Sequence, residues 1–173
     1  MSKNERMPLA VAMEEAKEIT DQLWVAGLEE YKDYLVCGSI RRSRPTCRDI
    51  DLALTTEGYE KVKDVLPLWL KDPTFTKSGK NKGRLQGGYV GKMKLELYVG
   101  PASGFGALTL FATGSPGLNI YCRQIANRNG WKLSQYGLFE QSDNVMVCDC
   151  TSELPILKKL GIEERHPISM REM

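Results

Sequence analysis

The chain contains 173 residues, which is enough for one large core or two small ones and too few for several enzymes. Apolar residues make up 42% of the chain and charged residues 27%, a balance typical of folded globular proteins. No apolar run approaches the roughly 20 residues of a membrane-spanning helix, and the first residues lack the apolar core of a secretory signal. We therefore expect a cytoplasmic protein without a membrane partner.

The net charge is only +2, so the distribution of charge is more informative than its sum. Four arginines lie between positions 41 and 48, and three lysines and an arginine lie between positions 77 and 84. Two interpretations stay open, namely loops that follow nucleic-acid phosphates and an ordinary solvated surface. The five cysteines form no CxxC pair, which favours small buried thiols over a zinc site.

The first part of the chain predicts helices that flank a sheet. Apolar residues over 9–23 recur at helical spacing, and the short runs 34–37 and 49–54 predict two strands that pair. Helical spacing over 59–70 predicts a second helix. Glycines separate alternating segments over 75–98, which predicts hairpins that complete a mixed sheet of about five strands.

The segment 100–106 is rich in Gly, Pro and Ser, and we predict a domain boundary there. Beyond it, helices over 115–129 and 152–160 are expected to surround a small strand region. The sequence thus predicts an α+β fold with a mixed sheet in residues 1–105 and a small α/β domain in residues 106–173.

Acidic residues occupy alternate positions on two predicted strands. Asp49 and Asp51 should project from one face of their strand while Ile50 and Leu52 enter the core. Adjacent carboxylates repel unless a cation neutralises them, and hard oxygen ligands suit Mg²⁺ bound also to substrate phosphates. Glu96 alternates with leucines on a later strand and could complete a set of three acids for two metal ions. A plain surface pair and an exposed strand residue are the alternatives.

A glycine-serine turn precedes the acidic strand. Gly38 and Ser39 offer close backbone N–H groups and a hydroxyl, and Arg41 and Arg42 follow with two guanidinium groups. This combination predicts a phosphate-binding turn of a kind other than the Walker loop. An ordinary turn is the alternative for the glycine-serine pair taken by itself.

The run G-S-I-R-R at 38–42, followed by D-I-D at 49–51, resembles the signature of the polymerase beta-like nucleotidyltransferase superfamily. Residues 105–140 resemble the palm-to-thumb segment of the family X DNA polymerases, and residues 151–172 resemble their C-terminal end. The resemblance implies a palm over 1–105, a thumb over 106–173, and transfer of a nucleotide from a dNTP to a DNA 3′-hydroxyl, in short gap filling during repair.

The resemblance also implies roles for individual residues. Catalysis and the binding of two Mg²⁺ ions, or of Mn²⁺ in their place, fall to Asp49, Asp51 and Glu96, although the family usually has aspartate at the third position. Nucleotide binding falls to Gly38, Ser39, Arg42, Phe111, Ala112, Gly114, Ser115 and Asn119. Together with the basic loops, the resemblance predicts DNA binding by Lys80, Lys82, Arg84, Arg123, Arg128 and Lys132.

Departures from the family pattern lead to further expectations. Phe111 and Ala112 replace an aromatic pair that excludes a 2′-hydroxyl, so we expect weak discrimination and use of rNTP beside dNTP. The resemblance starts with the palm, so we expect a protein that lacks lyase and fingers parts. We also expect a monomer that holds gapped or primer-template DNA with two domains. In a viral member, the location would be whichever host compartment contains DNA.

Two other functions stay open. A template-independent or small-substrate nucleotidyltransferase shares the glycine-serine turn and the acids, but such an enzyme has no reason to carry Asn119 and Arg123. A DNA-binding scaffold that has lost catalysis would explain Glu96. Retention of Asp49 and Asp51 favours an active enzyme over the scaffold.

Overall fold

The structure is a computed structural model, which describes residues 5–73, 76–77, 84–166, 168 and 171–172. The first part of the chain contains, in order, β1 (Met7–Pro8), α1 (Leu9–Val25), β2 (Tyr34–Val36), α2 (Gly38–Arg41), β3 (Thr46–Cys47), β4 (Asp49–Thr55), α3 (Thr56–Val62), a 3-10 helix (Leu66–Trp69), β5 (Thr76–Lys77), β6 (Arg84–Val90) and β7 (Met93–Gly100). The second part contains a 3-10 helix (Ala102–Gly104), α4 (Phe105–Thr113), α5 (Pro116–Arg128), β8 (Trp131–Ser134), β9 (Gly137–Glu140), α6 (Glu153–Lys159) and a 3-10 helix (Glu163–Arg165).

The central sheet has five strands in the order β2-β4-β7-β6-β5. β4 and β7 run parallel, whereas the other neighbouring strands run antiparallel. The hairpin of β8 and β9 lies with α5 and α6 in the second part of the chain. These findings confirm the predicted α+β class, with a mixed sheet followed by a small α/β unit. In the part of the chain that the structure describes, no helix has the length and apolar character needed to cross a membrane.

The predicted first helix is confirmed as α1, which covers one face of the sheet. Its buried residues Ala12, Ala16, Ile19 and Leu23 repeat every three or four positions and form one stripe. The stripe lies in one core with alternate residues of β4 and β7, which are Ile50, Leu52, Leu54, Leu95 and Leu97. Because side chains alternate along a strand, the acids between these residues point to the opposite face.

The helix predicted over 59–70 begins earlier and is shorter. α3 starts after Thr55, whose hydroxyl accepts a hydrogen bond from the N–H of Gly58 at 3.0 Å and so caps the helix. Pro67 lacks the N–H that a continued α-helix requires, and Leu66–Trp69 forms a 3-10 turn instead. The apolar spacing alone indicated neither the cap nor the break.

The sequence pattern missed α4. Eight of its nine residues are buried, so it shows no alternation between an apolar and a polar side. One part of α4, including Leu108, packs with β2, β4 and β7, while Ala107 and Leu110 pack with α5 and α6. The predicted boundary between residues 105 and 106 falls at the start of this shared helix, and the division of the chain into two domains stays a prediction.

A buried ionic cluster joins α2 to α6. The carboxylate of Glu153 accepts hydrogen bonds from Arg41 at 2.6 and 3.3 Å and from Arg171 at 2.6 Å. Arg41 also donates to the hydroxyl of Thr113, at the end of α4, over 2.7 Å. Burial opposes ionisation of Glu153, but the hydrogen bonds and charges of Arg171 and Arg41 outweigh burial and hold its pKa below the ordinary value. The cluster therefore fastens the second part of the chain to the turn that precedes β4.

Replacing Glu153 should reveal this cluster in the free energy of unfolding. Glu153→Gln should destabilise the fold by about 3–5 kcal/mol at neutral pH, because two guanidinium groups lose their shared counter-charge. Since the folded pKa lies below the unfolded value of 4.5, the stabilisation is complete above that pH and is lost as pH falls through the folded pKa. Urea unfolding of both proteins between about pH 3 and 7 should show the advantage of the wild type shrinking below pH 4.5.

The matched control is Glu60→Gln, which breaks an exposed ion pair with Lys63. That change should cost less than about 1 kcal/mol at any pH. A Glu153→Gln protein as stable as the control, or a loss that does not depend on pH, would contradict the account of the buried cluster.

Candidate active site

The three predicted acids lie together on the face of the sheet opposite α1. β4 and β7 pair in parallel register with Asp51 beside Glu96 and Asp49 beside Lys94. Asp49, Asp51 and Glu96 all line one cavity of about 490 Å³. Glu96 is 6% exposed, so this residue is buried in the site and not an exposed strand residue.

Gly38 approaches Asp51 so closely that no side chain fits between them. Its φ is +60°, and an ideal Cβ at this position would lie 1.8 Å from Oδ2 of Asp51. The neighbouring N–H of Cys37 donates to the carbonyl oxygen of Asp51 over 2.7 Å. Glycine is therefore required by both the backbone conformation and the space available, and the turn predicted to bind phosphate lies directly against a predicted metal ligand.

A tyrosine that was not predicted contacts two of the acids. The hydroxyl of Tyr98 lies 3.0 Å from Oδ1 of Asp51 and 3.4 Å from Oε2 of Glu96. Tyr98 follows Glu96 by two positions on β7, so the two side chains share a face. That spacing was visible in the sequence, but an aromatic residue at the end of a strand is more often part of the core.

The carboxylates fit Mg²⁺ by their chemistry. Mg²⁺ prefers hard oxygen ligands and usually takes one or two protein carboxylates, with water and substrate phosphates as its other ligands. Within the described residues, no group of three or more His, Cys, Asp or Glu side chains is arranged to hold a metal ion. The chemistry of Asp49 and Asp51, with Glu96 beside them, suits an ion that also binds substrate phosphates.

The predicted phosphate-binding residues line the same cavity. Gly38, Ser39, Arg42 and Gly114 contribute to its wall. The Nε of Arg42 donates to Oε1 of Glu172 over 2.8 Å, and its Nη1 donates to the carbonyl oxygen of Thr113. Arg42 is thus held between the end of α4 and the C-terminal residues, a pair of contacts that the sequence did not indicate.

The predicted sugar and base contacts form the next part of the wall. Phe111, Ala112 and Asn119 line the cavity, and the Asn119 side chain donates to the carbonyl oxygen of Phe111 over 2.9 Å. The Phe111 ring meets Tyr98 edge-on, with 6.0 Å between the ring centroids. The guanidinium carbon of Arg123 lies 5.4 Å from the centroid of the Phe111 ring.

Ser115 is placed differently from the other predicted nucleotide contacts. It is 2% exposed and does not line the cavity. Its hydroxyl accepts a hydrogen bond from the N–H of Leu118 at 3.3 Å and donates to the carbonyl oxygen of Arg171 over 2.8 Å. Ser115 caps α5 and ties it to the C-terminal residues, so its side chain has a structural task that the motif did not indicate.

The predicted DNA contacts are only partly described. Arg123, Arg128 and Lys132 are exposed on α5 and β8. Arg84 is the first residue of β6, and its side chain lies outside the described part, as do Lys80 and Lys82. These assignments stay predictions.

Further basic residues surround the site. Arg48, from the basic loop noted in the sequence, and Arg6, which was not predicted, line the first cavity. A second cavity of about 750 Å³ shares Arg48 and Asp49 with the first, and its other residues include Lys71, Lys92 and Lys94. The second cavity, beside Asp49, is therefore rich in cations, although Glu5 and Asp72 also line it. Most of these basic residues are far apart in the sequence, so the sequence did not indicate that they lie together.

Known proteins resemble this chain in both of its parts. The family model described as DNA polymerase beta thumb matches residues 108–172. Repair DNA polymerase X of African swine fever virus is 29% identical over 143 residues, which cover 79% of this chain and 80% of the viral protein.

Two cellular proteins also match. DNA polymerase lambda of Rattus norvegicus is 28% identical over 190 residues, covering 94% of this chain and 32% of that protein. DNA polymerase/3'-5' exonuclease PolX of Bacillus subtilis is 27% identical over 134 residues, covering 78% of this chain and 23% of the bacterial protein. The chain thus spans about a quarter to a third of these two relatives and four fifths of the viral one. In the acids, the glycine-serine turn and the thumb match, the chain is therefore similar to the family X DNA polymerases.

Proposed function

We propose that this chain transfers a nucleotide from a dNTP to the 3′-hydroxyl of a DNA strand, in short gap filling during repair. The observation that carries this proposal is the parallel register of β4 and β7, which sets Asp51 beside Glu96 in the cavity that Ser39 and Arg42 also line. Acids for a metal ion and donors for phosphate thus share one space, as phosphoryl transfer requires. A cytoplasmic location stays a prediction.

The acids would hold the metal. Asp49, Asp51 and Glu96 are the residues that we assign to two Mg²⁺ ions, with Mn²⁺ as a substitute. When bound, such ions make the attacking hydroxyl a better nucleophile and neutralise charge on the triphosphate. Because Gly38 has no side chain, Oδ2 of Asp51 can lie directly against the turn.

The turn and α4 would hold the nucleotide. The Ser39 hydroxyl and the remaining N–H groups of Arg42 are suited to phosphate oxygens. Phe111 and Asn119 would lie beside the sugar and base. With alanine at position 112, the wall lacks a second aromatic ring there, and for this reason we propose use of rNTP beside dNTP.

The surroundings of Asp49 suit a DNA strand. Lys71, Lys92 and Lys94 line the adjoining cavity and could neutralise phosphates next to the acids. Exposed Arg123 on α5 would contribute on the other side of the site. Gapped or primer-template DNA, held by a monomer, is the partner that we assign to these surfaces.

The small-substrate alternative receives less support. The match of residues 108–172 to a polymerase thumb indicates a second part that such an enzyme does not need. The scaffold alternative leaves unexplained why Gly38 is pressed against Asp51 in the cavity. Catalysis on DNA accounts for both features.

Removing one charge from the acids tests the catalytic assignment. Asp51→Asn should reduce Mg²⁺-dependent extension of a gapped primer below about a tenth of the wild-type rate, because a ligand shared by the ions is lost. Its melting temperature should stay within a few degrees of the wild type. The control is Asp64→Asn, an exposed residue in the turn after α3, which should extend normally. If Asp51→Asn keeps full activity, the metal site lies elsewhere.

Shortening Arg42 tests the triphosphate assignment. Arg42→Ala should raise the apparent KM for dNTP about tenfold or more, because a charge-assisted phosphate contact is removed. Glu172→Gln is the matched control, since it removes the carboxylate that holds Arg42 and keeps the guanidinium. Steady-state extension at varied dNTP gives both values. An unchanged KM for Arg42→Ala would remove Arg42 from the phosphate site.

A further inference from the structure

The carboxylate of Asp51 has a close neighbour at each of its oxygens. Oδ2 faces Gly38, where a Cβ would lie 1.8 Å away, and Oδ1 accepts a hydrogen bond from the Tyr98 hydroxyl at 3.0 Å. The glycine leaves room for Oδ2 beside the turn, whereas the tyrosine donates a hydrogen bond to Oδ1.

The Tyr98 hydroxyl has one proton, and the geometry favours Asp51 as its acceptor. The distance to Asp51 is 3.0 Å, whereas the distance to Glu96 is 3.4 Å, longer than an ordinary O–H···O hydrogen bond. Tyr98 is 7% exposed, and a buried tyrosine hydroxyl usually finds a partner. Between two carboxylates, the hydroxyl also offsets part of their mutual repulsion.

Contacts of the aromatic ring fix the position of this hydroxyl. Tyr98 packs edge-on against Phe111, and Arg123 of α5 lies over the Phe111 ring. Tyr98 also belongs to the apolar cluster that contains Phe105 and Leu108 of α4. The hydroxyl therefore points at Asp51 because α4 holds the ring, not because a flexible side chain reaches it.

We infer that Tyr98 is a positioning residue that sets the Asp51 carboxylate for metal binding. This inference rests on the proposed function, since it assigns Asp51 to the metal. Hydrogen bonds from outer residues fix the direction of a ligating carboxylate, and their loss typically lowers metal affinity or activity tenfold to a hundredfold.

The test is Tyr98→Phe, which removes the hydroxyl and keeps the ring. Electron paramagnetic resonance of free Mn²⁺, in the presence of a non-hydrolysable dNTP, measures the affinity of the protein for this ion. The affinity should fall by about tenfold or more. The Mg²⁺ concentration for half-maximal primer extension should rise by a similar factor, and the rate at saturating Mg²⁺ should recover substantially. Tyr59→Phe, a partly buried tyrosine on α3, should behave as the wild type in both measurements.

The outcomes separate this inference from the proposed function. Unchanged Mn²⁺ affinity in a folded Tyr98→Phe protein would overturn the inference, while loss of Mn²⁺ binding in Asp51→Asn would still support the proposed function. Reduced affinity that comes with a large fall in melting temperature, and that high Mg²⁺ does not correct, would assign Tyr98 to the fold and also overturn it. Reduced affinity with metal rescue and a normal melting temperature would support it.

Discussion

The pairing of β4 with β7 is the constraint on which the site depends. Seven residue pairs connect the two parallel strands, from Asp49 beside Lys94 to Thr55 beside Gly100. The same register sends the leucines of both strands into the core under α1 and the acids to the opposite face. A slip of one residue would move every one of these side chains to the wrong face. The hydrophobic core thus enforces the placement of the carboxylates.

The remaining walls of the cavity are attached to this pair of strands by α4 and the Glu153 cluster. α4 packs on the same face as the acids and supplies Phe111 and Ala112 to the cavity. The carboxylate of Glu153 ties α6 to Arg41, one residue before Arg42. The turn that contains Arg42, the aromatic wall and the acids are therefore joined through buried contacts, which would suit the proposed reaction because that reaction depends on positioning.

Much of the site could be predicted because it follows from local rules. Strand alternation placed Asp49 and Asp51 on one face, and the motif that joins them to Gly38 and Ser39 indicated the family. That Glu96 lies directly beside Asp51 was harder to predict, since the register depends on the crossover that brings β7 beside β4. Periodicity could not reveal α4, because a helix buried on all sides has no polar stripe.

Contacts between distant segments could not be read from the sequence. Arg42 and Glu172 are 130 positions apart, and nothing local indicates that they form an ion pair. Tyr98 has the spacing of a site residue, but its residue type is typical of a core. The Ser115 side chain caps α5 and does not line the cavity. These are cases in which tertiary packing decides between two roles that the residue type permits equally well.

The central claim is that the cavity directs a nucleotide onto a DNA 3′ end opposite a template base. Its most direct measurement is single-nucleotide incorporation into a duplex with a one-nucleotide gap, with each of the four dNTPs supplied separately against each template base. The account predicts Mg²⁺-dependent addition of the complementary nucleotide, abolished by chelation. Absence of addition on every template, or equal addition of all four nucleotides, would contradict it.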